Sequence, residues 1–307
     1  ANTARFAKNL IINGAMQVWQ RGTTSANNTY GADRWRGSSV TSQAQSTDVP
    51  NDSFAYSNAA SGSGGVAGAI GTPIELQVTG KSAPFKQSTN FTFSGYFKGT
   101  AGQTLSLRLR YRDGMFGTNS QEILAGTVIV TFDGTWQYVT KTVDFGSSVD
   151  VVGTSKCLEL ILIHNTADAT WYQTGCQFEV GDTATDFEHR SYAEELSACQ
   201  RYYYAFQIAN DLIGKNSFLA TAYSANTMYG VIDYPVQMRT TPSAINGGTW
   251  HARNGNNISF TMNADFQRSG RNNGIISQGS IGSSGAGDAY WVETQGSTGY
   301  LSFDAEL

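Results

Sequence analysis

The central part of the chain alternates apolar and polar residues with a period of two. Leu105, Leu107, Leu109 and Tyr111 share one face of a predicted strand. Similar runs contain Phe91, Phe93 and Phe97, then Val128, Val130 and Phe132, and then Leu158 to Ile163. Because successive side chains of a strand point to opposite faces, this alternation predicts strands with one apolar face. No helical pattern interrupts the runs, which is typical of a jelly roll or a similar sandwich and unlike a sheet of β-α-β units. The sequence therefore predicts an all-β first domain.

One helix is predicted after these strands. Ser191 and Glu194 have the spacing of a capping box, in which each side chain accepts a hydrogen bond from a backbone N–H at the helix start. The residues Tyr192, Leu196 and Cys199 then recur at helical period. We expect this apolar stripe to pack against the first domain.

The helix divides the chain into two predicted domains. Residues 1–190 form a jelly-roll sandwich, with 9–20 as its first strand, and residues 191–204 form the connecting helix. Residues 205–307 form a smaller β-sandwich, because short apolar runs resume there. A chain of 307 residues is long enough for each domain to have its own core.

The second domain contains shorter strands and more glycine. Asn254-Gly255 is a typical turn of a β-hairpin. A second hairpin is predicted to join 289–292 to 300–303. Residues 269–288 are rich in glycine and serine, and a loop of this length is usually functional or disordered.

Composition excludes several classes of partner. Only 14% of the residues are charged, the net charge is -4, and Lys and Arg do not cluster. A protein that binds nucleic acid needs a basic patch to displace counterions from phosphates, so we expect no nucleic-acid partner. No apolar run approaches the ~18 residues that a membrane span requires, so we expect no insertion into a membrane.

The three cysteines, Cys157, Cys176 and Cys199, are odd in number and lack the CxxC spacing of a metal site. They are therefore predicted to be buried thiols, and no cofactor is indicated. The stretch ANTARFAKNL lacks the apolar core of a signal peptide, so we expect synthesis in the cytoplasm without a secretory route.

Two parts of the chain resemble a known family. Residues 178–203 read FEVGDTATDFEHRSYAEELSACQRYY, which is similar to a segment that recurs in bacteriophage and prophage tail-fibre proteins. The stretches Asn9–Gly14, Val18–Thr23 and Ala32–Trp35 resemble the opening of the same domain, a galactose-binding-like jelly roll. Pro235–Pro242 is similar to a phrase in the segments that follow such domains.

The resemblance implies a function and a location. It suggests a receptor-binding tail-fibre protein of the virion that attaches to a bacterial surface polysaccharide. Its other expected partners are further copies of itself, as a homotrimer, and other tail proteins of the virion. The main alternative is a structural virion component of the head or tail that binds no glycan.

Patterns of catalytic residues are absent from the sequence. The three histidines are far apart, and no HExxH, GxSxG or DxDxDG motif occurs. A polysaccharide depolymerase would need two carboxylates that face each other across a sugar, and only chance pairs such as Asp144 with Glu159 are available. We therefore expect a protein that is not an enzyme, with depolymerase activity as a less favoured alternative.

Carbohydrate binding needs an exposed aromatic ring, together with polar side chains that bond to hydroxyl groups. Five residues of these types lie close to predicted turns of the second domain: Trp250, Arg253, Tyr290, Trp291 and Tyr300. They are the leading candidates for ligand contact, with a place in the core as the alternative for each tryptophan. We expect the second domain to make the main receptor contact, although the loops of the jelly roll could do so instead.

Arg108, Arg110 and Arg112 alternate with the apolar face of one predicted strand, so they project together from its other face. They could form a ladder for an acidic polysaccharide. A solvated strand face or a contact between subunits would give the same pattern.

Overall fold

The computed structural model describes residues 8–62, 65–75, 90–112, 120–145, 157–207, 216–255, 257–262, 269–279, 285–294 and 299–306. These residues form one helix, α1 (Tyr192–Gln200), and twenty strands. The strands are β1 (Thr24–Ser25), β2 (Arg36–Ser38), β3 (Val40–Ser46), β4 (Ser57–Gly62), β5 (Ala67–Glu75), β6 (Asn90–Gly99), β7 (Thr104–Arg112), β8 (Ser120–Thr131), β9 (Gln137–Asp144), β10 (Cys157–Ala167), β11 (Thr170–Val180), β12 (Tyr203–Gln207), β13 (Ser217–Ser224), β14 (Thr227–Asp233), β15 (Ser243–Gly247), β16 (Thr249–Arg253), β17 (Asn257–Thr261), β18 (Asn273–Gly279), β19 (Ala289–Thr294) and β20 (Tyr300–Asp304). The predicted all-β fold class, with a jelly-roll sandwich, one helix and a smaller β domain, is confirmed.

Contacts between residues divide the chain into two compact units, Ala1–Glu195 and Leu196–Glu306. We call them the jelly-roll unit and the C-terminal unit. The boundary between them falls inside α1. Among the helices of the described ranges, none has the length and apolar character needed to cross a membrane.

The jelly-roll unit is a sandwich of two antiparallel sheets. The front sheet has six strands in the order β1-β3-β4-β11-β6-β9, and the back sheet has five in the order β2-β5-β10-β7-β8. Phe91, Phe93 and Phe97 of the front sheet and Leu107 and Leu109 of the back sheet belong to one buried cluster. The apolar residues of β6 and β7 therefore face the space between the sheets, as the alternation predicts. The prediction is wrong for Val128 of β8, which is 54% exposed, because an irregularity in the pairing of β7 with β8 separates it from the buried Val130.

The start of the jelly-roll unit differs from its prediction, because residues 9–20 contain turns and no strand. Asn13 and Met16 adopt positive φ values of 58° and 54°. The Asn13 side chain donates hydrogen bonds to the carbonyls of Val18 and Asp33, at 2.9 and 3.0 Å. The Asn13 side chain thus supplies hydrogen bonds that a neighbouring strand would otherwise supply, so the backbone here does not need to pair as a strand.

Residues 181–190 cover one end of the outer face of the front sheet. Gln177 and Glu179 project outward from β11, yet they are 0% and 4% exposed. Glu179 accepts hydrogen bonds from the backbone N and hydroxyl of Thr185, at 2.9 and 2.6 Å. The backbone N of Glu188 donates to Gln177 Oε1 at 2.8 Å. Much of the FEVGDTATDFEHR stretch is thus a polar cover for half of this sheet face.

The capping box at the start of α1 is confirmed. The backbone N of Ser191 donates to Glu194 Oε2 at 2.8 Å, and the backbone N of Glu194 donates to Ser191 Oγ at 3.3 Å. The prediction that Tyr192 packs inward is wrong, because its side chain is 56% exposed. Glu195 is buried instead, at 4% exposure, since its carboxylate accepts a hydrogen bond from the backbone N of Asn13 at 2.5 Å.

The C-terminal unit contains a three-stranded sheet, β12-β20-β15, and a six-stranded sheet, β17-β16-β19-β13-β14-β18. The hairpin about Asn254-Gly255 is confirmed by the pairing of Arg253 with Asn257. The second predicted hairpin is wrong, because β19 pairs with β13 and β16 whereas β20 pairs with β12 and β15. Residues 273–279, predicted as part of a loop, form strand β18.

Candidate functional site

The uncovered end of the front sheet carries a group of aromatic side chains on its outer face. The register of the sheet places Tyr172 of β11 opposite Lys98 of β6, and Tyr96 of β6 opposite Tyr138 of β9. Trp136 directly precedes β9. We call the surface formed by Tyr96, Lys98, Trp136, Tyr138 and Tyr172 the aromatic platform.

The alternation of side chains along each strand explains why these rings lie on the outer face of the front sheet. Phe97, Val139 and Trp171 alternate with the platform residues, and they are 0%, 7% and 0% exposed. Because neighbouring residues of a strand point to opposite faces, burial of this phase leaves the other one outside. Tyr138 is 49% exposed.

The rings of the aromatic platform support one another. The ring centroids of Tyr96 and Tyr138 are 4.9 Å apart. The rings of Trp136 and Tyr172 meet edge to face at 6.3 Å. Separations and tilts of this kind are favourable for aromatic pairs, so the rings hold defined positions.

A charge pair lies within the aromatic platform. Lys98 Nζ donates to Asp48 Oδ2 at 2.6 Å, and Trp136 Nε1 donates to Asp48 Oδ1 at 2.8 Å. The side chains of Lys98 and Asp48 are 30% and 38% exposed. The Lys98 ammonium also lies 5.5 Å from the ring centroid of Tyr172, within reach of a cation–π contact.

The hydrogen bonds at Asp48 set its ionisation. Partial burial opposes the charged form of this carboxyl group, but the hydrogen bonds from Lys98 and Trp136 outweigh burial and lower the pKa of Asp48. Asp48 is therefore a carboxylate at neutral pH, and both of its oxygens accept hydrogen bonds.

Phe54 forms the border between the covered and the open end of the front sheet. Its ring centroid lies 5.5 Å from that of Tyr96, 5.4 Å from that of Phe187 and 5.3 Å from that of His189. Phe54 itself is 5% exposed. The packed rings of Phe54, Phe187 and His189 therefore bound the aromatic platform on this side.

The predicted arginine ladder lies on the back sheet, and its charges are paired. Arg110 Nε and Arg112 Nε lie 2.6 and 3.0 Å from the same oxygen of Glu159, which is 0% exposed. Arg108 makes two bonds of 2.7 Å to Glu122. Arg110 and Arg112 neutralise a buried carboxylate, so for these two residues the predicted ladder for an acidic polysaccharide is wrong, and so is the alternative of a solvated strand face.

Two of the five predicted contact residues of the second domain lie in its core. Trp250 is 0% exposed, Tyr290 is 2% exposed, and Trp250 Nε1 donates to the carbonyl of Gly247 at 3.0 Å. Their prediction as ligand contacts is wrong, because closeness to a turn does not decide which face of a strand a residue occupies. Trp291 and Tyr300 remain at the surface, at 50% and 36% exposure.

Trp291 belongs to a second exposed face, on the six-stranded sheet of the C-terminal unit. It is paired with Arg253 on one side and with Leu219 on the other. Leu219 and Val231 are 69% and 52% exposed, and Val231 is paired with Ile275. We call Trp291, Leu219, Val231 and Ile275 the apolar row.

The surroundings of the apolar row are polar at one end. Arg253 Nε lies 2.7 Å from Glu293 Oε1, and the two side chains are 45% and 27% exposed.

A depression of about 510 Å³ runs along β13 and β14, and Leu219, Tyr229 and Val231 are among the residues that line it.

The aromatic platform was missed at the sequence level, although a signal was present. Tyr96 and Lys98 alternate with Phe97, and Trp136 and Tyr138 lie on either side of Gln137. Aromatic residues in the polar phase of a strand have no place in the core, so they indicate an exposed aromatic face. The partner Asp48 could not be found in this way, because it comes from a distant loop.

No family model matches the chain, and no curated protein matches it. Among solved structures, it is similar to the enzymatically active domain of tailspike protein 4 from bacteriophage CBA120, with 16% identity and a TM-score of 0.38 over 57% of this chain and 22% of that chain. It is also similar to a putative sugar-binding protein from Bacteroides thetaiotaomicron, with 12% identity and a TM-score of 0.40 over 56% of this chain and 100% of that chain. A xylan-binding domain from Paenibacillus barcinonensis shows 14% identity and a TM-score of 0.36 over 59% of this chain and 100% of that chain. At TM-scores this low, these similarities do not establish a shared ligand or activity.

Proposed function

We propose that this protein binds carbohydrate and that the aromatic platform is the surface on which sugar rings stack. The observation that carries the proposal is the placement of Tyr96, Trp136, Tyr138 and Tyr172 on one sheet face around the Lys98–Asp48 pair, with Tyr138 exposed and the other three rings half-buried. A sugar ring has an apolar C–H face that packs on an aromatic ring, and hydroxyl groups that need donors and acceptors at its edge. The aromatic platform offers both.

The aromatic platform is also organised before a ligand arrives. Asp48 fixes the indole of Trp136 through its Nε1, and the contact between Tyr96 and Tyr138 restrains both phenol rings. Binding then orders few additional side chains, so less conformational entropy is lost.

We further propose that the protein binds without cleaving its ligand. Hydrolysis of a glycosidic bond requires a carboxyl group that holds a proton for the leaving oxygen. Asp48, the carboxyl group of the aromatic platform, is ionised because its hydrogen bonds lower its pKa. Among the described residues, no group of three or more His, Cys, Asp or Glu is placed to hold a metal ion.

The biological role that we propose is attachment of a phage virion to a bacterial surface polysaccharide. The support is the resemblance of residues 178–203 and of the opening stretches to phage tail-fibre segments. In this role the protein is made in the host cytoplasm, joins the virion tail as a homotrimer and contacts other tail proteins. A structural virion component would show no glycan binding, which separates the two roles.

A matched pair of variants of the full chain tests the proposal. Tyr138→Ala removes a platform ring, and Tyr223→Ala removes a tyrosine that is 73% exposed on the C-terminal unit. Binding to a glycan array and to encapsulated cells should fall for Tyr138→Ala and stay unchanged for Tyr223→Ala, with capsule-deficient cells as the background control. Wild-type protein that binds neither glycans nor cells would contradict the proposal, as would full binding by Tyr138→Ala.

A further inference from the structure

We infer that the aromatic platform selects neutral over acidic polysaccharide and that Asp48 is the residue that sets this preference. The inference rests on the proposed function, since it concerns the ligand of the same surface. It deepens that function by naming the chemical class of the sugar.

The charge balance of the aromatic platform is the first step. Lys98 is its basic side chain, and Asp48 lies 2.6 Å from its ammonium group. A sugar carboxylate would have to compete with Asp48 for Lys98, and it would meet a like charge at close range. A neutral sugar can instead bond to the exposed parts of both groups through its hydroxyls.

The loops that supply Asp48 and Trp136 add to this preference. Residues 47–56 contain a second acid, Asp52, and no Lys or Arg. Residues 132–136 contain Asp133 and no Lys or Arg. Asp52 and Asp133 are both exposed. The loops that supply Asp48 and Trp136 therefore carry negative charge and no positive charge, which disfavours the approach of an acidic polysaccharide.

The substitution Asp48→Asn removes the negative charge of the side chain and keeps nearly the same side-chain shape. Asparagine has nearly the same size, and its Oδ1 can still accept the hydrogen bond from Trp136 Nε1, so the indole keeps its position. Lys98 loses its counter-charge and becomes available to a sugar carboxylate. We expect the ratio of the affinity for acidic glycans to the affinity for neutral glycans to rise by about tenfold or more.

The test uses an array of neutral oligosaccharides and of oligosaccharides that contain uronic acid, printed at matched density. The full-length wild type and Asp48→Asn are compared, and Asp233→Asn serves as a control, because Asp233 is an exposed acid of the C-terminal unit. The chain contains six tryptophans, so the part of the emission that is lost in Trp136→Phe, measured in each variant, reports whether the aromatic platform stays intact. We expect the wild type to bind neutral glycans, Asp48→Asn to gain acidic ones, and the control to behave as the wild type.

Two kinds of result would overturn the inference. One is a wild type that binds acidic glycans as well as neutral ones or better. The other is an Asp48→Asn variant with an unchanged preference. In both cases the proposed function stands, provided that binding still depends on Tyr138. A wild type that binds no glycan overturns the inference and, if it also binds no cells, the proposed function with it.

Discussion

The jelly-roll unit and the C-terminal unit each expose one face of a sheet, and the two faces differ in chemistry. Each contains a partly exposed tryptophan and an ion pair. In the aromatic platform the charged pair is bonded to the indole, and the neighbouring side chains are tyrosines. In the apolar row the neighbours of Trp291 are Leu219 and then Val231, which are aliphatic. Leu219 and Val231 have neither a flat ring nor a hydrogen-bonding group, and the Tyr223–Tyr229 ring pair lies farther along the same two strands. A sugar beside Trp291 would therefore meet fewer stacking and bonding groups than a sugar on the aromatic platform.

The largest expected effect is the loss of glycan binding in Trp136→Ala. Removing a central aromatic contact typically costs about 2 kcal/mol or more, which corresponds to a roughly 30-fold weaker affinity. Trp291→Ala should weaken binding by less than about threefold. Titration calorimetry with a glycan identified on the array compares the two variants. A larger loss for Trp291→Ala would move the main contact to the C-terminal unit, as the sequence alone led us to expect.

A smaller effect is expected for Asp48→Ala. This change leaves the Lys98 ammonium and Trp136 Nε1 without the carboxylate, so neutral glycans should bind about tenfold more weakly and the free energy of unfolding should fall by about 1 to 2 kcal/mol. In the other face, Arg253→Ala breaks an exposed pair with Glu293 and should cost about 0.5 kcal/mol. Denaturant unfolding measures both. Equal losses of stability would show that the two ion pairs do not differ in structural importance.

The pH dependence of the aromatic platform should be visible in the emission of Trp136, obtained as the difference between the chain and its Trp136→Phe variant because five other tryptophans also emit. The pKa of Asp48 is lowered in the folded protein, so its stabilising contribution is present above the ordinary aspartate pKa and is lost as pH falls towards the folded pKa. We expect Trp136 emission to be constant near neutral pH and to change only in the acid range. Asp48→Asn should remove that change. A transition near pH 6 to 7 in the wild type would assign the effect to another group.

The smallest effect is expected for Leu219→Ser in the apolar row. Leu219 is 69% exposed, so the substitution should change the free energy of unfolding by less than about 0.5 kcal/mol. Glycan binding should not change. A clear loss of binding would mean that the apolar row takes part in recognition and that glycan binding is not confined to the aromatic platform.

The elements that could be predicted from the sequence are those with a local physical cause. Alternation placed the apolar phase of β6 and β7 correctly, because a strand exposes one side to the core. The Ser191–Glu194 capping box located the start of α1, since its hydrogen bonds span only three residues.

The errors concern properties that depend on tertiary contacts. Trp250 and Tyr290 were candidates for ligand contact because they lie close to turns, but the sheet places them on its inner side, which for Trp250 is the core position that remained open at the sequence level. The paired charges of Arg110 and Arg112 depend on Glu159, which reaches them through the pairing of β10 with β7. Asp48 meets Lys98 and Trp136 only because three distant segments converge, and no local pattern reports that.

The packed ring of Phe54 limits the size of the aromatic platform, and this limits the affinity that a single copy of the protein can have for a polysaccharide. Tyr96 and Lys98 are two residues apart on β6, so the two rows of the aromatic platform are about 7 Å apart, and its three strands span about 10 Å. If the aromatic platform binds sugar as proposed, a footprint of this size with Phe54 at one side would hold only a short segment of a polysaccharide, and one such contact would be weak and quickly reversible. Lasting adhesion would then come from avidity, with several copies engaging the repeating units of one polysaccharide at the same time.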